Sequence, residues 1–176
     1  AYSITYHAAF YLGGSSEEIT KTMIERHKVI IETLQEENNN IWVRPETTGK
    51  RSQWGTLDEI IELSKNFSQI LPCIDFAHIH AREDGKFNTY DEFCRILEKL
   101  GNELGDVALN NFHGHVAGIE YTSKGEKKHL IFEESDFNYK DLLKAMKKFN
   151  IKGALVCESP NIETDTKILK DYYLSL

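Results

Sequence analysis

The sequence lacks the features of a membrane protein, of a disulfide-bonded protein and of a general nucleic-acid binder. No apolar run in its 176 residues approaches the roughly 20 needed to span a bilayer, and no basic-then-apolar leader is visible. The three cysteines have no CxxC spacing, so we expect buried free thiols. A net charge of −7 provides no cationic excess for non-specific nucleic-acid binding. These observations predict one cytoplasmic globular domain over residues 1–176.

Predicted strands and helices alternate along the whole chain. The strand-like runs read SITYH, IWVRPE, CIDFAHIH, FHGHV and GALVCE, and a helical pattern follows each of them. Five such units predict parallel strands with right-handed crossovers. The first loop, HAAFYLGGSSEE, is a poor match to the Gly-rich phosphate loop of a doubly wound sheet. The pattern therefore favours an α/β fold of the (β/α)8 TIM-barrel type.

Histidines and carboxylates recur at or just beyond the ends of these strands. Imidazole nitrogen and carboxylate oxygen are common zinc ligands, and active sites of such barrels form at the C-terminal ends of the strands. His113 and His115 share a face because they are two residues apart, whereas Asp75 and His78 have opposite parity. Asp75 and His78 can therefore serve one site only if His78 lies beyond the strand end. The strand-end candidates are His7, Glu46, Asp75, His78, His80, His113, His115 and Glu158.

Five units are too few to close a barrel of eight. They would leave two strand edges and the inner face uncovered. We therefore expect an open, curved sheet in this chain. It would be completed by the N-terminal remainder of a longer protein or by a partner.

Several stretches resemble one known family. HAAFYLG, RPETTGKRSQWGTLDE, PCIDFAHIHARED, FHGHVAGIEY with KKHLIFEES, and VCESPN together cover nearly the whole chain. They are similar, in order, to the last five units of the endonuclease IV family of apurinic/apyrimidinic endonucleases, within the xylose-isomerase-like barrels. The RPETTGKRSQWGTLDE and HIHA segments resemble an archaeal-type branch. The resemblance implies two to three zinc ions, or manganese in their place.

The resemblance also implies a role for each matching residue. His7 corresponds to a ligand of the first zinc, and Glu46 to the carboxylate that bridges two zincs. The implied ligands of the second zinc are Asp75, His113 and Glu158, and those of the third are His78 and His129. Lys127 stands where the family has an aspartate, so the third site is expected to be weaker unless Glu126 substitutes. His80 and His115 have no counterpart among the family's ligands and are expected to support the ligands or to be variant ligands.

The activity implied is cleavage of the DNA backbone on the 5′ side of an abasic site during base-excision repair, with double-stranded DNA as partner. Metal ions activate water and stabilise charge in such reactions. Glu46 and Glu158 are the expected catalytic carboxylates, and Glu158 would deprotonate the attacking water. Residues expected to contact DNA are Lys50, Arg51, Trp54 and Arg82.

Two other functions fit the sequence. A metal-dependent sugar isomerase or epimerase uses the same barrel with Glu, Asp and His ligands, and the acidic net charge suits a small sugar better than DNA. An inactive barrel fragment that keeps some of the ligands is the third alternative. No membrane partner is expected in any of these cases.

Overall fold

Short strands alternate with helices from one end of the chain to the other. The computed structural model describes residues 1–176. Its strands are β1 (Ser3–Tyr6), β2 (Ala9–Phe10), β3 (Trp42–Pro45), β4 (Gln53–Trp54), β5 (Ile74–Asp75), β6 (Phe112–Val116), β7 (Gly118–Thr122), β8 (Gly125–Leu130) and β9 (Gly153–Cys157). The helices are α1 (Ser16–Glu36), α2 (Leu57–Lys65), α3 (Phe76–Arg82), α4 (Tyr90–Leu104), α5 (Asp106–Asn110), α6 (Tyr139–Lys148) and α7 (Ile162–Ser175), with one 3-10 turn at Phe132–Glu134.

The principal strands are parallel and follow one another in chain order. β1 pairs with β3, and β5 pairs with β6, which pairs in turn with β9. Parallel bridges Val43–Ile70 and Glu46–Cys73 connect β3 to the segment that leads into β5. β1 and β9 are each paired on one side only, so the array is open at both ends. The C-terminal ends of these strands all lie at the same edge.

Helices cover one face of the array and bury its apolar side chains. The largest core cluster contains 19 buried residues, among them Ile74, Phe93, Leu97 and Phe112. A second cluster of seven buried residues lies between α1, α2 and β3 and includes Trp54. Because the helices pack on one face, the other face of the strands is free to carry polar side chains.

The sequence pattern suggested that CIDFAHIH is one strand, but the structure divides this segment. β5 ends at Asp75, and the helix α3 begins immediately after it. Asp75 is the N-cap of this helix, and its Oδ1 accepts a hydrogen bond from the backbone N–H of His78 at 2.7 Å. This turn brings the side chains of Asp75 and His78 to the same place despite their opposite parity.

The polar stretch before Leu130 forms a hairpin. β7 and β8 are antiparallel, and β8 contacts α3. The hairpin therefore brings side chains of β8 back over the C-terminal edge of the parallel strands. No helix is both long enough and apolar enough to cross a membrane.

Candidate metal centre

Acidic and imidazole side chains from five elements meet at the C-terminal edge of the parallel strands. Glu46, Asp75, His115 and Glu158 each place one ligand atom within 4.8 Å of the others. The Nδ1 atom of His115 is 3.2 Å from Glu46 Oε1 and 3.3 Å from Glu158 Oε1. His115 Nδ1 and Asp75 Oδ2 are buried without a hydrogen-bond partner. A cation bound among these four residues would satisfy both atoms, so the residues fit a divalent metal.

A second group combines α3 with the β7–β8 hairpin. His78 Nδ1 faces the carbonyl oxygen of Thr47 at 3.0 Å, and His129 Nδ1 faces the carbonyl oxygen of Glu158 at 3.1 Å. Carbonyl oxygens only accept hydrogen bonds, so each Nδ1 must carry the hydrogen.

The Nε2 atoms of His78 and His129 are 3.4 Å apart. With hydrogens at Nδ1, neutral rings direct two lone pairs at each other there, and Glu126 Oε2 lies 3.6 Å from His78 Nε2. Three acceptors without a donor require a proton or a metal ion between them. Asp75, His78 and His129 can hold one ion, and Glu126 is close enough to reach it.

Glu46 connects the different parts of the cluster. Its Oε1 lies 3.5 Å from His7 Nε2 and 3.3 Å from His78 Nδ1, in addition to its contact with His115. His7, Glu46 and His78 form a further group with metal-ligand spacing. Two carboxylates, Glu46 and Asp75, thus each belong to two groups, and either could bridge two ions.

The charges in the cluster are strongly coupled. Burial by itself would raise the pKa of Glu46, but the nearby imidazoles of His115, His7 and His78 hold it far below its usual range. Burial would lower the pKa of His78, but Asp75, Glu46 and Glu126 raise it to about 10. The same balance, with Glu46 and Glu158 as the principal carboxylates, raises the pKa of His115. The binding of a divalent cation among these side chains would therefore compete with protons.

The two histidines of β6 have different neighbours, and His115, expected as a supporting residue or a variant ligand, is the one that meets the carboxylates. His115 lies in the four-residue group, whereas His113 lies one layer closer to the N-terminal ends of the strands. Asp75 pairs directly with His115, and His113 pairs with Ala154 of β9. Burial and Arg44 lower the pKa of His113. His113 groups with Cys73 and His115 and not with the carboxylates.

His80 and Lys127 lie outside the cluster. The ring of His80 is fully buried, with Nδ1 bonded to the carbonyl oxygen of Lys86 and Nε2 3.2 Å from Asp136. His80 anchors loops around α3 and contacts none of the candidate metal-ligating side chains. Lys127 forms an exposed ion pair with Glu120.

Two residues expected to contact DNA are buried. Trp54 is fully buried, and its indole N–H donates to the hydroxyl of Thr20. Arg82 is 7% exposed and donates to the carbonyl oxygens of Thr48 and Lys50. In this conformation neither side chain is exposed for stacking on a base or for binding a phosphate.

Two other basic residues of this rim are exposed. Lys50 is exposed, and Arg51 is occupied by an ion pair with Asp84 at 2.7 Å.

Thr47 is a supporting residue that no sequence pattern indicated. Its hydroxyl accepts from the backbone N–H of Asp75 at 2.8 Å, and its carbonyl oxygen fixes the ring of His78. The only available signal was its position directly after Glu46. Threonines in loops are too common for that position to be informative.

Comparisons with known proteins bear on the fold of the chain. A family model described as "Xylose isomerase-like TIM barrel" matches residues 1–173. An uncharacterised protein of Methanocaldococcus jannaschii, MJ0133, is 43% identical over 174 residues. The alignment covers 99% of this chain and 63% of that protein, so the chain spans less than two thirds of its relative's length.

Two solved structures are similar to the chain. A D-tagatose 3-epimerase-like protein has a TM-score of 0.70 and 18% identity, with 98% of this chain and 62% of that chain covered. The apo form of 3-keto-D-glucoside 4-epimerase, YcjR, from E. coli has a TM-score of 0.58 and 14% identity, with 99% and 63% covered. At these identities the likeness shows the fold alone.

Proposed function

We propose that the strand-end cluster of this chain is a divalent-metal centre with more than one ion. The premise is that the chain belongs to the xylose isomerase-like TIM-barrel family. We further propose that the protein containing this chain hydrolyses a DNA phosphodiester, with the 5′ side of an abasic site as its target. Because the chain spans only part of its relative, this activity is proposed for the whole protein.

The surplus of ligands carries this proposal. Glu46, Asp75, His115 and Glu158 already suffice for one ion. His7, His78 and His129 add two overlapping groups, and the facing Nε2 atoms of His78 and His129 demand a second positive charge. Sites with two neighbouring ions are typical of enzymes that hydrolyse phosphoesters, in which both the attacking and the leaving oxygen need stabilisation.

The residues of the chain would have different chemical roles. Bound divalent ions would supply charge neutralisation and water activation. The side chain of Glu46 is 8% exposed and surrounded by histidines, which suits it to set the spacing within the cluster. The side chain of Glu158 is 32% exposed, so it can reach solvent and accept a proton from the attacking water. Lys50 is the free cation of the rim that could meet a phosphate.

A sugar isomerase or epimerase is the second candidate, and the comparisons favour it. The two similar solved structures are a sugar epimerase and an epimerase-like protein, and neither is an endonuclease. The four-residue group could serve a single ion with two glutamates for proton transfer. Burial of Trp54 and Arg82 also weakens the surface expected to read DNA.

One parallel assay separates these candidates. The intact protein, loaded with zinc or manganese, is incubated with an end-labelled duplex containing one abasic site, with the undamaged duplex and with a panel of aldoses and ketoses. We expect nicking of the abasic duplex alone. Glu46→Ala should abolish nicking, and Glu158→Gln should retain most of the metal but lose rate, because an amide nitrogen cannot accept a proton. Sugar conversion without nicking would replace the first candidate by the second, and loss of both activities would favour an inactive barrel.

A further inference from the structure

Arg44 is a buried cation without a carboxylate partner. Its side chain shares a face of β3 with Glu46, because residues two apart in a strand point the same way. It is 1% exposed, and its Nε atom has no hydrogen-bond partner. The ion pairs that arginines form in this chain involve Arg51 and Arg95 instead. A guanidinium buried in this way costs stability, so its presence calls for another explanation.

The contacts of Arg44 join several strands at their N-terminal ends. Nη1 donates to the carbonyl oxygen of Pro72 at 3.3 Å, just before β5. Nη2 donates to the carbonyl oxygen of Asn111 at 3.0 Å and to its Oδ1 at 2.8 Å, just before β6. The hydroxyl of Tyr2, just before β1, donates to the same Oδ1 at 2.8 Å. Arg44 and Asn111 thus connect four strands.

Each connected strand carries a candidate ligand at or just beyond its other end. These ligands are His7 after β1, Glu46 after β3, Asp75 in β5 and His115 in β6. A slip of one residue in any strand would turn its ligand to the opposite face. A metal site requires its ligands within about 0.5 Å of the correct positions. The contacts at the N-terminal ends fix the register on which that precision depends.

We infer that Arg44 and Asn111 are positioning residues of the metal centre, which hold the four ligand-bearing strands in register from the opposite end. The inference rests on the metal centre of the proposed function and not on its substrate. It distinguishes an effect of Arg44 on the positions of the metal ligands from an effect on the stability of the fold. Arg44→Met removes the hydrogen bonds to Pro72 and Asn111 and thereby releases the strands, while it also removes the cost of burying a charge, so its two effects on the free energy of unfolding oppose each other.

Co²⁺ titration of the intact protein tests this inference, since the visible absorption of bound Co²⁺ reports the arrangement of its ligands. We expect Arg44→Met to weaken Co²⁺ binding by about tenfold or more and to change the spectrum, with only a small change in the urea midpoint because the lost hydrogen bonds and the removed buried charge act in opposite directions. Asn111→Ala should act in the same direction. Asn111→Asp keeps the acceptor oxygen for Arg44 and Tyr2 and should restore the parent spectrum. The control is Arg95→Met, which removes an arginine whose side chain is 63% exposed in α4.

Unchanged Co²⁺ affinity and spectrum in Arg44→Met and Asn111→Ala would overturn the inference. If Arg44→Met does not fold, Asn111→Ala decides alone. A parent protein that binds no Co²⁺ would refute the metal centre, and this inference with it. Normal Co²⁺ binding without DNA cleavage would bear on the proposed substrate only.

Discussion

Two histidines of β6, two residues apart, have different surroundings. The alternation of the strand predicted correctly that His113 and His115 share a face, but alternation cannot say which of them reaches the carboxylates. That choice depends on the register between β5 and β6, which pairs Asp75 with His115. Register arises from contacts between distant segments, so it could not be obtained from the spacing of residues in one strand.

A pair of matched substitutions tests this assignment. His115→Ala removes a ligand that lies 3.2 Å from Glu46 and 3.3 Å from Glu158, and we expect zinc affinity to fall by at least tenfold. His113→Ala removes a ring of the same kind from the layer below and should change the affinity much less. Isothermal titration of zinc into the metal-free variants gives both values. A larger loss in His113→Ala would restore the assignment first expected from the sequence.

Glu59 is a buried carboxylate whose role is structural. It accepts hydrogen bonds from the hydroxyls of Tyr11, Ser16 and Thr56 and from the backbone N–H groups of Gly55 and Thr56. Burial would raise its pKa, but these donors, Ser16 first among them, hold it below the ordinary value of 4.5. The sequence predicted only the part of this network that caps α2.

Glu59→Gln should lower the free energy of unfolding by roughly 1–3 kcal/mol at neutral pH, because the amide places a donor against donors. A carboxylate with a depressed folded pKa contributes stability that is complete above its unfolded pKa and lost as the pH falls through its folded pKa. The difference between parent and variant should therefore shrink as the pH falls below about 4.5. Urea unfolding of both proteins at several pH values measures this difference in the free energy of unfolding. A difference independent of pH would contradict the ionised state of Glu59.

The β7–β8 hairpin shows how far secondary structure could be predicted. The sequence pattern predicts a helix after each strand-like run, and the capping boxes that begin α1 and α2, Ser15 with Glu18 and Thr56 with Glu59, are local signals of the same kind. A charged hairpin around His129 was expected from the sequence, but its position over the strand ends was not. Its conformation depends on contacts with α3 and with the loop after Glu46, which no local pattern encodes.

Gly125 begins β8 and fixes how closely the hairpin approaches that loop. Its φ is +94°, and a Cβ atom there would overlap the carbonyl oxygen of Gly49. Gly125→Ala should cost roughly 1–3 kcal/mol of stability and move Glu126 and His129 away from His78. Gly13→Ala is the control, because Gly13 also has a positive φ but nothing lies within 4 Å of the added carbon. Metal titration should show weaker binding in Gly125→Ala alone; equal binding in both variants would exclude a role of the hairpin.

The open ends of the strand array are the main feature of the whole molecule. β1 and β9 are paired on one side only, and Tyr2, Ile4 and Val156 beside these edges are 67%, 46% and 40% exposed. The sequence predicted the alternation of strands and helices and an open sheet. It could not predict what covers the edges, because the pattern of these strands does not identify the elements that would pair with them.

We expect residues outside this chain to cover these edges in the longer protein. The isolated 176-residue chain should then bind a dye specific for apolar surfaces and self-associate at micromolar concentration. The longer protein should do neither. Fluorescence titration and sedimentation of the two proteins side by side make the comparison. If the isolated chain is monomeric and binds no dye, its strand edges are stable without being covered.

The central claim is that the overlapping ligand groups hold more than one metal ion. The number of zinc ions per chain, measured by elemental analysis of the intact protein after gel filtration, tests it most directly. We predict at least two ions in the parent and one fewer in His129→Ala, since the four-residue group does not include His129. A single ion in the parent, retained unchanged in His129→Ala, would contradict the claim and leave a mononuclear site of the kind a sugar epimerase could use.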